Sequence, residues 1–414
     1  MVRHPILALL CLPFLACAAA GGGATGGSGG GTGAGGTGGS SPGTGGSASA
    51  LPDFLSHGPY PFPQSKASGA CTLTTNASAV SATQSAYSSW KSSFVTSSGA
   101  PSGAARVQDP QTVTCNVGST NTPVSGGTVS EGMGYGMLAA VSMADRSTFD
   151  SLLAYVNAHL DANGLMNWCI DSGGTTRGSG SATDADEDIT WSLLMAAAQW
   201  SSTDYYNAGK AMINGIYSHS IAGDGTLSPG DGWGGTTIFP DYFSPAYFRV
   251  FAKIGSANWG TVILDRNYAI LANVSGQKGL IPNQSDSTTY STSMNYGYDS
   301  CRGPWRIAMD YCFNGEPRAL TYLQLVGPFF NGISGGAGNI GDGYTSAGSQ
   351  TSGNHNMAFI GTAGTAGMAG WQTLLDGAFT FGVNGAGDNA YFTNSLRVVT
   401  MLMMSGNLLD YSQR

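Results

Sequence analysis

The sequence predicts an all-α fold, a toroid of helical hairpins joined by long loops. About a dozen segments repeat apolar residues at helical spacing. Alternating, strand-like patterns are few. The stretches between the helical segments are long and glycine-rich, with 64 glycines among 414 residues. The absence of a sequence repeat argues against a solenoid of stacked helix pairs.

At the N-terminus, Arg3 and His4 precede an apolar run from Ile6 to Ala16 that gives way to small residues. This is the pattern of a secretory signal, expected over residues 1–20. The run is too short to span a membrane, and no other span is evident. Phe14-Leu15-Ala16-Cys17 loosely resembles a bacterial lipoprotein box, which would put a lipid anchor on Cys17. Ordinary cleavage after Ala18 or Ala20 is the alternative. Residues 21–51 are almost entirely Gly, Ser, Thr and Ala, a flexible tether with nothing to bury. The chain is therefore expected to be secreted or anchored outside the cytoplasm, with its folded domain over residues 52–414.

The helices follow in order. Ala79–Phe94 carries Ala82, Ala86, Trp90 and Phe94 at spacing four. Gly132–Ala144 and Phe149–Leu160 make a first pair, Asp188–Trp200 and Tyr205–Ser218 a second. Pro245–Lys253, Trp259–Asn273, Pro304–Phe313 and Pro317–Phe330 come next. Asn356–Ala366, Met368–Gly382 and Ser395–Met404 complete the set. Pro304 and Pro317 suit first-turn positions, where the missing N–H costs nothing. Trp191 and Trp259, inside helical patterns, read as core.

Charged residues make up only 10% of the chain, well below the roughly 25% usual for soluble domains. The net charge of −8 disfavours nucleic acid or an anionic membrane as partner. With 8 Trp and 18 Tyr, a low-charge, aromatic surface suits a neutral polyhydroxylated ligand. No metal-ligand spacing, cofactor motif or oligomer signal is present, so no cofactor and a monomer are expected. Of the 7 cysteines, Cys11 and Cys17 belong to the signal region. Cys71, Cys115, Cys169, Cys301 and Cys312 remain. Cys71–Cys115 is the expected disulfide, and an odd number leaves at least one thiol without a partner inside the chain.

Because acids are scarce, their positions carry information. Glu131 follows Ser130 at a helix start. Alone it reads as a complement to the helix dipole, worth roughly 0.3–1 kcal/mol. Yet Gly132, Gly134 and Gly136 are poor helix formers, and three glycines around one acid point to something that approaches the backbone closely. Asp184, Asp186, Glu187 and Asp188 crowd like charges at another helix start. The bland reading is capping plus a solvated face. Otherwise at least one of these carboxyls must be pushed up. Asp299 and Arg302, three apart, read as an ion pair that keeps Asp299 ionised.

The chain resembles glycoside hydrolase family 8, most closely its cellulase-like endoglucanases. The motifs that carry the resemblance are VSEGMGYGML (129–138), LMNWCID (165–171), SATDADEDITWSLL (181–194), PGDGWGG (229–235), PDYFSPAYFRVFA (240–252), YGYDSCRGPWR (296–306), GDGYTSAGSQ (341–350), GNHNMAFIG (353–361) and NSLRVVT (394–400). The resemblance implies an (α/α)6 barrel with a substrate cleft across one end, formed by residues 52–414 as a catalytic domain. It implies inverting, endo-acting hydrolysis of β-1,4 glycosidic bonds in cellulose-type or mixed-linkage β-glucan. By the same resemblance Glu131 would be the general acid and Asp299 the general base, while Asp184 would hold the sugar at the cleavage point. Trp168, Trp233, Tyr242, Tyr298, Arg302 and Tyr391 would line the sugar subsites. Thr190, Cys301 and Gly303 depart from the family pattern without touching the acids.

An inverting glycosidase needs one protonated and one ionised carboxyl about 6.5–9.5 Å apart. Weakly charged, aromatic surroundings and the nearby Asp184 would raise Glu131, against the helix dipole. Alternatives within the family are a xylanase or a chitosanase. From another class, a tethered, non-catalytic glucan-binding protein would have no need of the three acids.

Overall fold

The computed structural model describes residues 50–117 and 120–413, and one compact unit begins at Leu51. The expected signal segment, Cys11, Cys17 and the tether up to residue 49 lie outside the described residues.

Among the described residues, twelve α-helices follow one another: α1 (Ala79–Phe94), α2 (Ser130–Ser142), α3 (Arg146–Ala158), α4 (Thr183–Trp200), α5 (Thr203–His219), α6 (Pro245–Ile254), α7 (Val262–Val274), α8 (Gly303–Asn314), α9 (Pro317–Asn331), α10 (Met357–Gly367), α11 (Gln372–Asn384) and α12 (Tyr391–Met404). The even helices form an inner ring. α12 packs on α2, α2 on α4, α6 on α8, α8 on α10 and α10 on α12. Trp191 of α4 stacks on Tyr247 of α6, ring centroids 4.4 Å apart, which closes the circle. The odd helices form an outer layer: α1 on α12, α3 on α2, α5 on α4, α7 on α6, α9 on α8 and α11 on α10. This is the expected (α/α)6 barrel. An inner helix touches neighbours on every side, so it is buried all round. Every residue of α10 is buried, and α4 is buried from Thr183 to Gln199. Trp191 and Trp259 are core, as their helical patterns indicated.

Local chemistry sets the helix ends. The carboxylate of Asp145 accepts from the Thr148 amide at the start of α3, and the side chain of Asn356 accepts from the Ala358 amide at the start of α10. Each such cap contributes about 1 kcal/mol. Pro304 and Pro317 occupy first turns. Some bounds differ from the periodicity. Trp259 lies in a 3-10 turn, Ala257–Gly260, and Thr261 (φ −129°, ψ −92°) breaks the chain before α7. α11 starts at Gln372, after Gly370 takes φ +134°. α2, α4 and α12 begin two to five residues earlier than their apolar repeats.

Short strands set two of those early starts. Thr128–Val129, Asn167–Ile170 and Thr176–Ser181 form a three-stranded antiparallel sheet, with Asn167–Ile170 in the middle. The first strand runs straight into α2, and the third leads into α4 through Ala182 alone. One small sheet thus sets the starts of two inner helices side by side.

The disulfides differ from the expected Cys71–Cys115. Cys71 pairs with Cys312, and Cys115 with Cys169; Cys301 is the buried free thiol. Cys71 precedes α1 and meets the end of α8, 241 positions away in sequence. That closure is set by the barrel, which no local loop pattern reports. Cys115–Cys169 ties the hairpin Thr112–Val117/Thr120–Ser125 to the three-stranded sheet.

Candidate active site

Four carboxyl-bearing residues converge where inner helices begin. Glu131 lies in the first turn of α2 and Asp184 in the first turn of α4. Asp241 lies in the 3-10 turn Pro240–Tyr242 that precedes α6. Asp299 immediately precedes the 3-10 turn Ser300–Arg302 that leads into α8.

Arg302 joins them. Its Nη1 is 2.5 Å from Glu131 Oε2 and 2.6 Å from Asp184 Oδ2. Its Nη2 is 2.7 Å from Asp241 Oδ2, and its Nε donates to the backbone carbonyl of Asp299 at 3.1 Å. The Tyr391 hydroxyl donates to the other Glu131 oxygen at 2.6 Å. Tyr242 lies 5.2 Å from the guanidinium, a cation–π contact in a desolvated setting.

Burial governs the electrostatics. It pushes the Glu131 carboxyl up to about 7, helped by Asp184 and Asp299 and opposed by Arg302 and by the Tyr391 hydrogen bond. Burial and Asp184 also raise Asp299, with Arg302 pulling the other way. Asp186, Glu187 and Asp188 are all raised by burial. A carboxyl protonated near neutral pH, set among carboxyl groups that share one cation, can serve acid–base chemistry.

An aromatic band extends from this cluster. Trp233, 43% exposed, meets Phe239 edge-on at 6.2 Å, and Phe239 stacks on Tyr242 at 5.0 Å. Tyr242 reaches Arg302, and Phe392 lies 6.1 Å from Tyr298. The exposed Tyr298 donates to Asp342 at 2.7 Å and accepts from Asn356 at 3.0 Å. Half-buried Trp168 lies on Gly178 of the adjoining strand. The structure therefore gathers Glu131, Asp184 and Tyr242 around the guanidinium of Arg302, with Tyr391 on Glu131. Asp299 and Tyr298 adjoin it, and Trp233 stands along the band.

Two expectations need correction, and the bland alternative for the α4 acids is excluded. The Arg302 side chain pairs with Glu131, Asp184 and Asp241, not with the Asp299 carboxyl, because the turn between 299 and 302 offers it only the backbone carbonyl. Arg302 still pulls Asp299 down, but burial outweighs it. The acids of α4 do not form a solvated face: Asp184, Asp186, Glu187 and Asp188 are buried. Asp188 is gripped by both terminal nitrogens of Arg306 and by Tyr247. Nor do the glycines of α2 clear a path for sugar. A Cβ on Gly132 would meet Tyr391 and Val107, and on Gly134 it would stand 2.8 Å from Asp188 Cβ. On Gly136 it would meet Leu152, Val107 and Trp90. The close approach is that of neighbouring protein.

Sequence reasoning missed Asp241, Phe239, Phe392, Asp342 and Asn356. Asp241, Asp342 and Asn356 lie within the motifs PDYFSPAYFRVFA, GDGYTSAGSQ and GNHNMAFIG, where a buried acid or amide beside aromatics was the available signal.

The comparisons agree with this architecture. The family model for glycosyl hydrolases family 8 matches residues 60–406. Endoglucanase A of Acetivibrio thermocellus is 38% identical over 359 residues, covering 82% of this chain and 72% of that protein. Endoglucanase 2 of Ruminiclostridium josui is 37% identical over 377 residues, covering 86% and 79%. Among solved structures, the apo β-1,3-1,4-glucanase from Paenibacillus sp. X4 superposes with a TM-score of 0.74 at 30% identity, covering 84% of this chain and 98% of that one. With the barrel and the ordered motifs, these matches place the chain among the glycoside hydrolases, as a member of glycosyl hydrolases family 8.

Proposed function

We propose that the protein is an endo-acting, inverting hydrolase of β-1,4 bonds in cellulose-type or mixed-linkage β-glucan. Glu131 is the general acid, Asp299 the general base, and Asp184 holds the sugar at the cleavage point. One observation carries the reading: a carboxyl pushed up to about 7 that accepts hydrogen bonds at both oxygens, from Tyr391 and Arg302. Before reaction it holds a proton for the glycosidic oxygen. As the proton leaves, the two donors stabilise the carboxylate that forms. On the opposite face, Asp299 takes a proton from the water that attacks the anomeric carbon, and the bond to the departing sugar oxygen breaks. The relatives named endoglucanase and β-1,3-1,4-glucanase support a β-glucan as substrate. Trp233, Tyr242, Tyr298 and Trp168 supply flat faces for pyranose rings.

The chain acts outside the cytoplasm as a monomer in this reading. The apolar run at Ile6–Ala16 and two disulfides support export. No helix among the described residues is long and apolar enough to cross a membrane.

The test is a reducing-sugar assay on carboxymethylcellulose and lichenan with Glu131→Gln and Asp299→Asn. Each is expected to lower kcat at least about 10³-fold while the protein stays folded and still binds glucan. Near-native kcat in either folded variant removes the assignment.

A further inference from the structure

Asp241 is fully buried beside the reacting carboxyls, and the roles assigned above leave it unused. Its carboxyl meets Arg302 at Nη2, the one guanidinium nitrogen not engaged by Glu131, Asp184 or the Asp299 carbonyl. The guanidinium is planar, so fixing Nη2 and Nε fixes where Nη1 points. Nη1 is the atom that holds Glu131 and Asp184 together.

We propose that Asp241 is a positioning residue for the hydrolysis: from the buried side it locks the plane of Arg302, so that Nη1 presents one geometry to Glu131 and Asp184. It never touches the sugar. The proposal rests on the acid–base reading of Glu131 given above.

Position matters here more than charge. Burial pushes Asp241 up to about 8, with Asp299 and Asp184 adding to the rise against Arg302 and Arg306. Near neutral pH the group is therefore mostly neutral, its Oδ2 held 2.7 Å from Nη2. It adds little repulsion to a cluster already rich in carboxylates. The other ionisable groups that face it are Tyr242 beside it, Cys301 and Tyr296 near the turn before α8, and Tyr322 of α9. All four are raised by burial and stay neutral through the working range. A neutral acceptor of the same shape should replace Asp241, and a side chain with no acceptor should not.

Asp241→Asn, Asp241→Ala and Asp241→Leu test this by kcat, KM and the pH profile on lichenan, with circular dichroism to establish folding. Asp241→Asn should stay within about threefold of the parent kcat, with both limbs of the profile unmoved. Asp241→Ala should lose at least about tenfold in kcat with KM nearly constant. Its alkaline limb should move to higher pH, because a loosened Arg302 holds the Glu131 carboxylate less well. Asp241→Leu keeps the volume and should behave as the alanine variant does if the latter does not fold. Parent-like kcat and limbs in a folded variant without an acceptor overturn the proposal. So does an asparagine variant as impaired as the alanine one. Glu131→Gln separates the two levels: if it stays active the acid assignment falls, whereas if it is inactive and Asp241→Ala is unaffected, only the role of Asp241 falls.

Discussion

The hydroxyl of Tyr391, the first residue of the last inner helix, donates to Glu131 Oε1 at 2.6 Å, across 260 positions of sequence. The contact favours the ionised acid and so opposes the burial that raises it. Two consequences follow for pH. Activity requires protonated Glu131, so the alkaline limb of kcat/KM should fall near pH 7, activity being lost as pH rises through it. Tyr391→Phe removes a donor to the carboxylate and should move that limb to higher pH, by up to about one unit. A limb that stays put or moves to lower pH would show that Tyr391 does not act on Glu131.

Trp233 stands half-exposed at the end of the aromatic band, its Nε1 anchored to the Ser181 carbonyl at 2.9 Å. Trp233→Ala should raise KM for a soluble β-glucan about tenfold, or ~1.4 kcal/mol, with kcat within about twofold. The melting temperature should hardly change, since the indole covers little core. Unchanged KM would remove Trp233 from the substrate path.

Gly134 is a packing residue of the inner ring. Alanine gains about 1 kcal/mol of helix propensity over glycine. Its Cβ would stand 2.8 Å from Asp188 Cβ, and Asp188 cannot retreat because Arg306 and Tyr247 hold it. Overpacking of about 1–3 kcal/mol should win. Gly134→Ala should therefore lower the urea midpoint, whereas a raised midpoint would mean that α2 and α4 have slack.

The barrel was legible in sequence because apolar residues recur at helical spacing in each helix, and that spacing is a local property. Asn356–Ala366 and Pro317–Phe330 fall within a residue of α10 and α9 for that reason. Two starts that carry chemistry were less legible. α2 and α4 begin at Ser130 and Thr183, ahead of their apolar repeats, because the three-stranded sheet delivers the chain there. Glu131 and Asp184 could be read from motifs, but their meeting on one guanidinium could not. Arg302 lies close in sequence to Asp299, but its carboxyl partners lie on three distant segments. Proximity in sequence therefore named the wrong partner. Asp241 went unseen for the same reason, and so did the Cys71–Cys312 bond.

The central claim is inversion by a carboxyl pair built around Glu131 and Asp299. Proton NMR of the first reducing ends released from a β-1,4-linked oligosaccharide tests it directly, read before mutarotation mixes the anomers. The α-anomer should appear first and the β-anomer only later, as the solution equilibrates. A β-anomer formed first would mean retention, and would contradict the roles given to both residues.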